Sequence, residues 1–306
     1  MRCSGRSAFF RARRAVLTTW TSALPSGHAE PRKSKVNVRT HIQIYAALFL
    51  CIWYRLPWGG VSLACFVLST DSTTVGERQS LKKAWGDQCD LLVFVDRNLP
   101  GMNVTWEEAY QKISTKSHQA WSLMHTKYGT KFDFFMKADL DTYVITKNLR
   151  AYLRSFNPRE PYYIGKQFVH PEFGPFVAGA SIVLSRRTLA SFYESAQTGI
   201  KNCSEKQFTV MGAAEDVAMG VCLQSLGIYP HNTRNELNEE RFMVFDVDYM
   251  YDNSSGIRSQ QWYKRFSFNP SFGKCCCSAD AIAFHKVNSE DMQRKLKYAN
   301  GRWSWA

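Results

Sequence analysis

The 306-residue sequence has no internal repeat and no low-complexity block, so it is neither a repeat array nor a compositionally biased chain. Its nine cysteines include no pair with the C-x₂₋₄-C spacing of a tetrahedral zinc site, which disfavours zinc at the cysteine run 275–277. The chain also lacks an apolar run of the roughly 20 residues that cross a bilayer. With 45% hydrophobic and 21% charged residues, it nevertheless has the composition of a folded protein.

Acidic residues are scarce at the N-terminus. Residues 1–40 contain nine lysines and arginines against one acid, Glu30, and supply most of the formal net charge of +13. Because the positive charge is concentrated in this segment and not on a binding face, we do not expect nucleic acid as a partner.

An apolar run at residues 42–54 follows the basic segment. A positive flank before an apolar run predicts a signal anchor with the N-terminus in the cytosol. The run is short and includes Gln43, so a buried core helix is the alternative, but residues 55–58 offer no small-residue cleavage site for a signal peptide.

The predicted organisation is therefore that of a single-pass type II membrane protein with one folded domain. Its segments are a basic cytosolic tail at 1–41, an anchor at 42–54, a very short stem at 55–60, the folded domain at 61–290 and a C-terminal tail at 291–306.

Seven of the nine cysteines follow the anchor, which suits an oxidising compartment. N-glycosylation sequons begin at Asn103, Asn202 and Asn253. Together with the anchor, these features predict that the folded domain faces the lumen of the secretory pathway.

After residue 60 the hydrophobic pattern alternates between strands and helices. The predicted strands are 61–68, 91–95, 132–137, 162–165 and 177–184, and the predicted helices are 74–85, 105–128, 147–156, 187–196 and 214–226. Such alternation predicts an α/β fold with a mostly parallel sheet flanked by helices. Sites in these sheets lie beyond the carboxyl ends of the strands.

Asp139 and Asp141 follow the strongly apolar strand at 132–137. Two carboxylates at a strand end offer hard oxygen ligands for Mn²⁺ or Mg²⁺, and a metal there could bridge a diphosphate. A D-x-D pair by itself favours a solvated turn, because Asp is common in turns. Its place directly after a buried strand favours the metal site.

Two further candidates lie later in the chain. Glu215 and Asp216 open a helix, which is also where acids stabilise a helix without any further role. The same helix dipole is expected to lower the pKa of Asp216 and keep it ionised, as a general base must be. His285 closes a short apolar run, and its imidazole could complete an oxygen-rich Mn²⁺ site, although a lone histidine is more often structural.

Five motifs in chain order resemble those of the core 1 β1,3-galactosyltransferases (glycoprotein-N-acetylgalactosamine 3-β-galactosyltransferases) of glycosyltransferase family 31. The motifs are AW at 84–85 with Cys89, FMKADLDTYV at 135–144, AGA at 178–180 with VLS at 183–185, EDVAMG at 215–220 with Cys222, and CCS at 276–278 followed by Phe284 and His285. The resemblance covers about residues 61–290.

The resemblance implies that residues 61–290 are a catalytic domain with a GT-A-type (Rossmann-like) fold in the Golgi lumen. It implies Mn²⁺ as cofactor and inverting transfer of galactose from UDP-galactose to O3 of N-acetylgalactosamine on Ser or Thr of a glycoprotein. The implied partners are the donor, the glycoprotein acceptor and the membrane, and a homodimer is left open.

The resemblance also assigns roles to residues. Asp141 and His285 ligate the metal, and Asp139 supports the ion and the donor's sugar and ribose. Asp216 is the implied catalytic base, with Glu215 as the neighbouring alternative. The helical residue Lys116 matches a family lysine that assists donor binding, and its alternative is a solvated helix charge.

Disulfides are predicted between Cys65 and Cys89 and between Cys203 and Cys222. The family has two cysteines near residue 276, so Cys276 and Cys277 are the expected disulfide residues there and Cys275 is the expected odd residue.

The chain departs from the family pattern in two places. Leu140 stands where the family has a middle acid, which leaves the sugar donor open, and the aromatic acceptor segment is reduced to residues 262–268. Two alternatives therefore remain, namely a catalytically inactive, chaperone-like relative and a fringe-like N-acetylglucosaminyltransferase of the same fold. Retention of the candidate acids and His285 argues against the first.

Overall fold

A five-stranded sheet in the order β2-β1-β3-β6-β5 forms the centre of the fold. Its strands are β1 (Leu63–Leu68), β2 (Leu91–Val95), β3 (Phe134–Asp139), β5 (Tyr163–His170) and β6 (Gly174–Ser185). β1 pairs parallel with β2 and β3, whereas β6 pairs antiparallel with β3 and β5. Four of the five strands therefore share one direction, and the predicted α/β class with a mostly parallel sheet is confirmed.

The computed structural model describes residues 60–102, 110–251, 260–288, 290–294, 296–299 and 301–305. The sheets and helices all belong to the unit that begins at Val61. The predicted cytosolic tail, the anchor and all of the stem except Gly60 lie outside the described residues. Among the described helices, none combines the length and hydropathy needed to cross a bilayer.

β1 shows why the sheet lies between two layers. Leu63, Cys65 and Val67 pack into one hydrophobic cluster, and the intervening residues, among them Phe66, pack into another. Because successive strand residues point to opposite faces, a strand covered on both sides must be apolar throughout. All six residues of β1 are buried, which accounts for the continuous apolar run in the sequence.

Helices cover both faces of the sheet. They are α1 (Val75–Ala84), α2 (Ile113–Tyr128), α3 (Thr146–Leu153), α4 (Arg186–Gln197), α5 (Glu205–Met211), α6 (Glu215–Ser225), α7 (Val247–Tyr251) and α8 (Gln261–Phe266). α1 begins with a capping box, in which the Thr74 hydroxyl accepts from the Glu77 N–H and the Glu77 carboxylate accepts from the Thr74 N–H.

The helix predicted at 105–128 differs at its start. Residues 105–109 lie outside the described residues, and the described α-helix begins at Ile113 after a 3₁₀ turn at Tyr110–Lys112. No side chain caps this start, but the Ser114 N–H donates to the Gly212 carbonyl at 3.1 Å. This long-range contact satisfies one N–H group of the first turn.

A second, three-stranded sheet has the order β4-β8-β7. Its strands are β4 (Thr142–Val144), β7 (Phe242–Met243) and β8 (Ala283–His285). β8 pairs antiparallel with β4 and parallel with β7. These strands have two or three residues each, which is too short for a period-2 pattern to reveal them in the sequence.

The segment predicted as a C-terminal tail contains a hairpin of β9 (Leu296–Ala299) and β10 (Arg302–Trp305). Trp303 is buried, and its indole N–H donates to the Ser278 carbonyl at 2.6 Å. The hairpin is therefore packed against the same unit.

Disulfides join Cys65 to Cys89 and Cys203 to Cys222, the pairs named from the sequence. A third joins the neighbours Cys276 and Cys277. Cys275 is also disulfide-bonded, so the expectation that it is an odd thiol is wrong. That expectation rested only on a comparison with the number of cysteines in the family.

Of the three sequons, those at Asn103 and Asn253 lie outside the described residues. Asn202 is partly exposed in the 3₁₀ turn Lys201–Cys203. The hydroxyl of its sequon residue Ser204 caps α5 by accepting from the Gln207 N–H.

Candidate functional site

Asp139, Asp141 and His285 come together at the carboxyl end of β3. Asp139 is the last residue of β3, and His285 is the last residue of β8, where it pairs with Thr142 of β4. His285 Nε2 lies 3.1 Å from Asp141 Oδ1 and 3.7 Å from Asp139 Oδ2. One potential ligand atom from each of the three residues lies within 4.8 Å of the other two.

This trio fits a divalent cation. Two carboxylates and one imidazole form a donor set that suits ions such as Mg²⁺ and Mn²⁺, and all three side chains are partly exposed. Burial by itself would raise the pKa of Asp141, but the hydrogen bond and charge of His285, together with the Lys286 ammonium, lower it to about 2. Asp141 is therefore ionised at neutral pH, as a metal ligand must be.

A buried network connects the trio to helix α6. Lys137 of β3 is only 3% exposed, and its ammonium lies 2.9 Å from Asp139 Oδ1 and donates to the Glu215 carboxylate. The Ser117 hydroxyl donates to the other Glu215 oxygen at 2.7 Å. Burial opposes the charge on Lys137, but Asp139 and Glu215 outweigh this effect and raise its pKa well above the ordinary value. Both Glu215 oxygens are thus occupied.

The pKa values of Glu215 and Asp216 are shifted in opposite directions. The prediction that the pKa of Asp216 is lowered is therefore wrong. Burial and the neighbouring Glu215 raise the pKa of Asp216 well above its ordinary value. Burial also opposes ionisation of Glu215, but Lys137 outweighs it and lowers the pKa of Glu215. The sequence argument considered only the helix dipole, whereas desolvation and a neighbouring carboxylate decide the shift at Asp216. Glu215 is buried and ionised, and Asp216 is the more exposed member of the pair.

Lys116 of α2 is buried, so the alternative of a solvated helix charge does not apply. Its ammonium donates to the Ser69 carbonyl, directly after β1. Leu68 pairs with Asp139 in the sheet, so Ser69 lies at the same carboxyl edge as the metal trio. Lys116 is therefore at this edge, next to the strand that carries Asp139.

Sequence reasoning missed Lys137, Ser117 and Lys286 as residues of this site. Lys137 does carry a signal, because it is a charged residue within a buried apolar strand, where unpaired charges are rare. Ser117 and Lys286 carry none, since their roles depend on contacts with residues about a hundred or more positions away.

The carboxyl edge of the sheet thus combines a divalent-cation trio, a second carboxylate pair and a buried lysine between them. Together with the α/β architecture, this edge has the groups of a metal-assisted active site beyond the carboxyl ends of the strands.

The family comparison makes the assignment more specific. A family model described as Fringe-like matches residues 81–239, and the chain belongs to this family. The membership agrees with the GT-A-type fold that the sequence resemblance implied.

Two proteins with similar sequences are both named as glycosyltransferases. The chain is 30% identical to glycoprotein-N-acetylgalactosamine 3-beta-galactosyltransferase 1 of Xenopus laevis over 238 residues, 76% of this chain and 64% of that protein. It is 25% identical over 189 residues to human lactosylceramide 1,3-N-acetyl-beta-D-glucosaminyltransferase, 55% of this chain and 45% of that protein. The chain thus spans less than two thirds of the length of either relative.

The structural similarity to solved proteins is more distant. The glycosyltransferase GlyE of Streptococcus pneumoniae TIGR4 superposes with a TM-score of 0.39 at 10% identity, over 76% of this chain and 56% of that one. This similarity is too distant to refine the assignment.

Proposed function

We propose that this chain is a metal-dependent, inverting β1,3-galactosyltransferase that transfers galactose from UDP-galactose to O3 of N-acetylgalactosamine on Ser or Thr of glycoproteins. One observation carries the proposal: Asp139, Asp141 and His285 converge at the edge of the sheet that also carries the carboxylate pair of α6. The name of the Xenopus relative supports galactose as the donor sugar and N-acetylgalactosamine as the acceptor.

On this proposal, Asp139, Asp141 and His285 would hold Mn²⁺, which would supply Lewis-acid stabilisation of the donor's diphosphate. The ionised state of Asp141 and the tight grouping of the three ligand atoms support their role. Lys116, at the same edge, assists donor binding.

Asp216 acts as the general base. It removes the proton of the acceptor hydroxyl while that oxygen forms a bond to the anomeric carbon. The bond from this carbon to the diphosphate oxygen breaks at the same time, and its electron pair leaves with the diphosphate. The raised pKa of Asp216 makes its carboxylate a stronger base than an ordinary aspartate.

Glu215 is not the base in this mechanism, because it is buried and its carboxylate is held by hydrogen bonds from Lys137 and Ser117. It instead fixes the start of α6 against β3. The proposed location is the Golgi lumen, with residues 42–54 as the membrane anchor, and the disulfides of the described residues suit that oxidising compartment.

A direct test incubates the purified full-length chain with UDP-galactose, Mn²⁺ and a peptide that carries N-acetylgalactosamine on threonine. The expected product is galactose in β1,3 linkage, identified by NMR. An excess of chelator should abolish its formation, and added Mn²⁺ should restore it. If the chain transfers no sugar while it binds UDP with Mn²⁺, the chaperone-like alternative replaces this proposal.

A fringe-like N-acetylglucosaminyltransferase is the second candidate. Leu140 packs against the hydrophobic core where the resembled family has an acid, so one carboxylate that could select the donor is missing. The human relative's name, which specifies transfer of N-acetylglucosamine, points the same way. A parallel assay with UDP-N-acetylglucosamine separates the two candidates, because faster transfer from that donor contradicts the galactose assignment.

A further inference from the structure

Lys286, the residue after His285, has a backbone conformation that lysine rarely adopts. Its φ is +61°, in the left-handed region where the Cβ of a non-glycine residue comes too close to the backbone. Tertiary contacts hold the residue there, because His285 pairs with Thr142 and the Val287 N–H donates to the Asp141 carbonyl at 3.0 Å. Strain that persists beside a candidate site is a reason to look for function.

The ammonium of Lys286 lies beside the metal trio. Lys286 Nζ lies 3.3 Å from Asp141 Oδ2, and the side chain is 57% exposed. Lys137, which also contacts carboxylates of this site, is buried and bound to Asp139 and Glu215. Of these two lysines, only Lys286 is accessible to a ligand from solvent.

We propose that Lys286 binds the terminal phosphate of the nucleoside diphosphate donor and compensates the charge that this phosphate gains on leaving. When Asp141 ligates a divalent cation, its carboxylate is engaged with the ion, and the ammonium on its flexible four-carbon chain can turn to an anion held by that ion. The inference rests on the proposed function only in taking the donor to be a nucleoside diphosphate sugar.

The charge balance of the reaction favours this role. Breaking the bond between the anomeric carbon and the diphosphate leaves its electron pair, and one additional negative charge, on the terminal phosphate. The added charge is present in the transition state and absent from the bound donor. A cation placed to meet it therefore accelerates the reaction more than it strengthens donor binding.

The competing explanation is that Lys286 only offsets repulsion between Asp139 and Asp141. The two explanations predict different effects of removing Lys286 on Mn²⁺ binding and on UDP binding. A lysine that only offsets repulsion competes with the metal, so its removal tightens Mn²⁺ binding and leaves UDP binding unchanged. A lysine that binds phosphate weakens UDP binding when it is removed.

The test uses the full-length chain with three substitutions and one control. Lys286→Met removes the charge and keeps the length of the side chain. Lys286→Gly removes the side chain and relieves the left-handed strain, so its thermal unfolding midpoint should equal or exceed that of the wild type. Lys286→Arg keeps the charge. The control is Lys206→Met, which removes an exposed lysine of α5.

Calorimetry of UDP and UMP binding in saturating Mn²⁺ gives the main readout. We expect Lys286→Met and Lys286→Gly to weaken UDP binding about tenfold or more, which corresponds to one charge-assisted hydrogen bond, and to leave UMP binding unchanged. Lys286→Arg and Lys206→Met should bind UDP nearly as the wild type does. In the transfer assay, kcat should fall in the Met and Gly variants while the KM for the acceptor stays the same.

Wild-type UDP affinity in both the Met and the Gly variants overturns the inference, even if galactose transfer is confirmed. Loss of UDP affinity in these variants supports it, even if the wild type transfers no galactose, in which case only the proposed function fails. A Gly variant that unfolds at a lower temperature than the wild type overturns the argument from strain.

Discussion

The Lys137 ammonium lies 2.9 Å from an oxygen of Asp139, the last residue of the central strand β3. The same ammonium donates to Glu215 at the start of α6. One buried cation thus connects a carboxylate of the candidate metal trio with the helix that carries the proposed base. The proposed donor side and the proposed acceptor side of the site are held together by a single charged network.

Asp141→Ala is expected to abolish both sugar transfer and metal-dependent UDP binding. The substitution removes a ligand that is ionised at neutral pH and leaves only Asp139 and His285. UDP binding is measured by calorimetry with Mn²⁺ and with excess chelator. The control Asp87→Ala, which removes an exposed acid from a surface ion pair, should behave as wild type. Wild-type UDP affinity that is insensitive to chelator contradicts the metal site.

Asp216→Asn should retain UDP binding and slow transfer by about 10²–10⁴-fold, the usual contribution of a general base. The amide has nearly the same size as the carboxyl group but cannot accept the proton of the acceptor hydroxyl. Single-turnover transfer rates and UDP affinity are measured on the same preparation. If Asp216→Asn transfers at nearly the wild-type rate while Glu215→Gln does not, the two residues have the opposite roles.

Lys137→Met should destabilise the fold by about 3–5 kcal/mol, because it leaves the buried Glu215 carboxylate without its cation. The double variant Lys137→Met/Glu215→Gln removes both charges and should recover most of that loss. Denaturant unfolding gives the free energies. The control Lys82→Met removes the cation of an exposed pair with Asp87 and should change stability by less than about 1 kcal/mol. If the double variant is no more stable than Lys137→Met, the ion pair is not the cause.

Stability should decrease on mild acidification because of His118. Burial lowers its pKa below the ordinary 6.5, although the Cys203 carbonyl and Glu205 oppose this effect. Above pH 6.5 the ring is neutral in both the folded and the unfolded state, so it contributes no pH dependence. As the pH falls through 6.5, the unfolded state binds the proton first, and the free energy of unfolding decreases until the pKa of the folded state is reached.

His118→Gln keeps a donor for the Cys203 carbonyl and removes this titration. Urea unfolding at pH 7.5 and pH 5 should therefore show a smaller loss of stability for the variant than for the wild type. The matched comparison is the same substitution at His125. Burial also lowers the pKa of His125, but this residue is partly exposed. An equal loss of stability in wild type and His118→Gln rules out this histidine as the cause.

The sequence was sufficient for those parts of the fold that local pattern controls. The apolar run at 61–68 predicted β1, and the helix at 187–196 lies within α4. The placement of Asp139 at the end of β3 also followed from the run before it. These predictions succeeded because a strand buried on both faces, or a helix with one buried face, must carry its own hydrophobic pattern.

The shorter elements could not be predicted this way. β4 and β8 have three residues each, and their pairing is between segments about 140 positions apart in the chain. The start of α2 is supported by a hydrogen bond from the Ser114 N–H to the Gly212 carbonyl. No feature of the neighbouring sequence predicts this bond. Such elements exist because of long-range contacts, and their sequences are too short to carry a period.

The sequence by itself determined which residues could do chemistry, because carboxylates after a buried strand and at a helix start are visible in the chain. Only the tertiary structure decided how those residues are charged and which of them cooperate. The helix dipole acts locally and predicted an ionised Asp216, but burial and the neighbouring Glu215 raise its pKa instead. Lys286 contacts Asp141 across 145 positions of the chain. Desolvation and charge–charge contacts depend on distances in space, and the fold alone sets those distances.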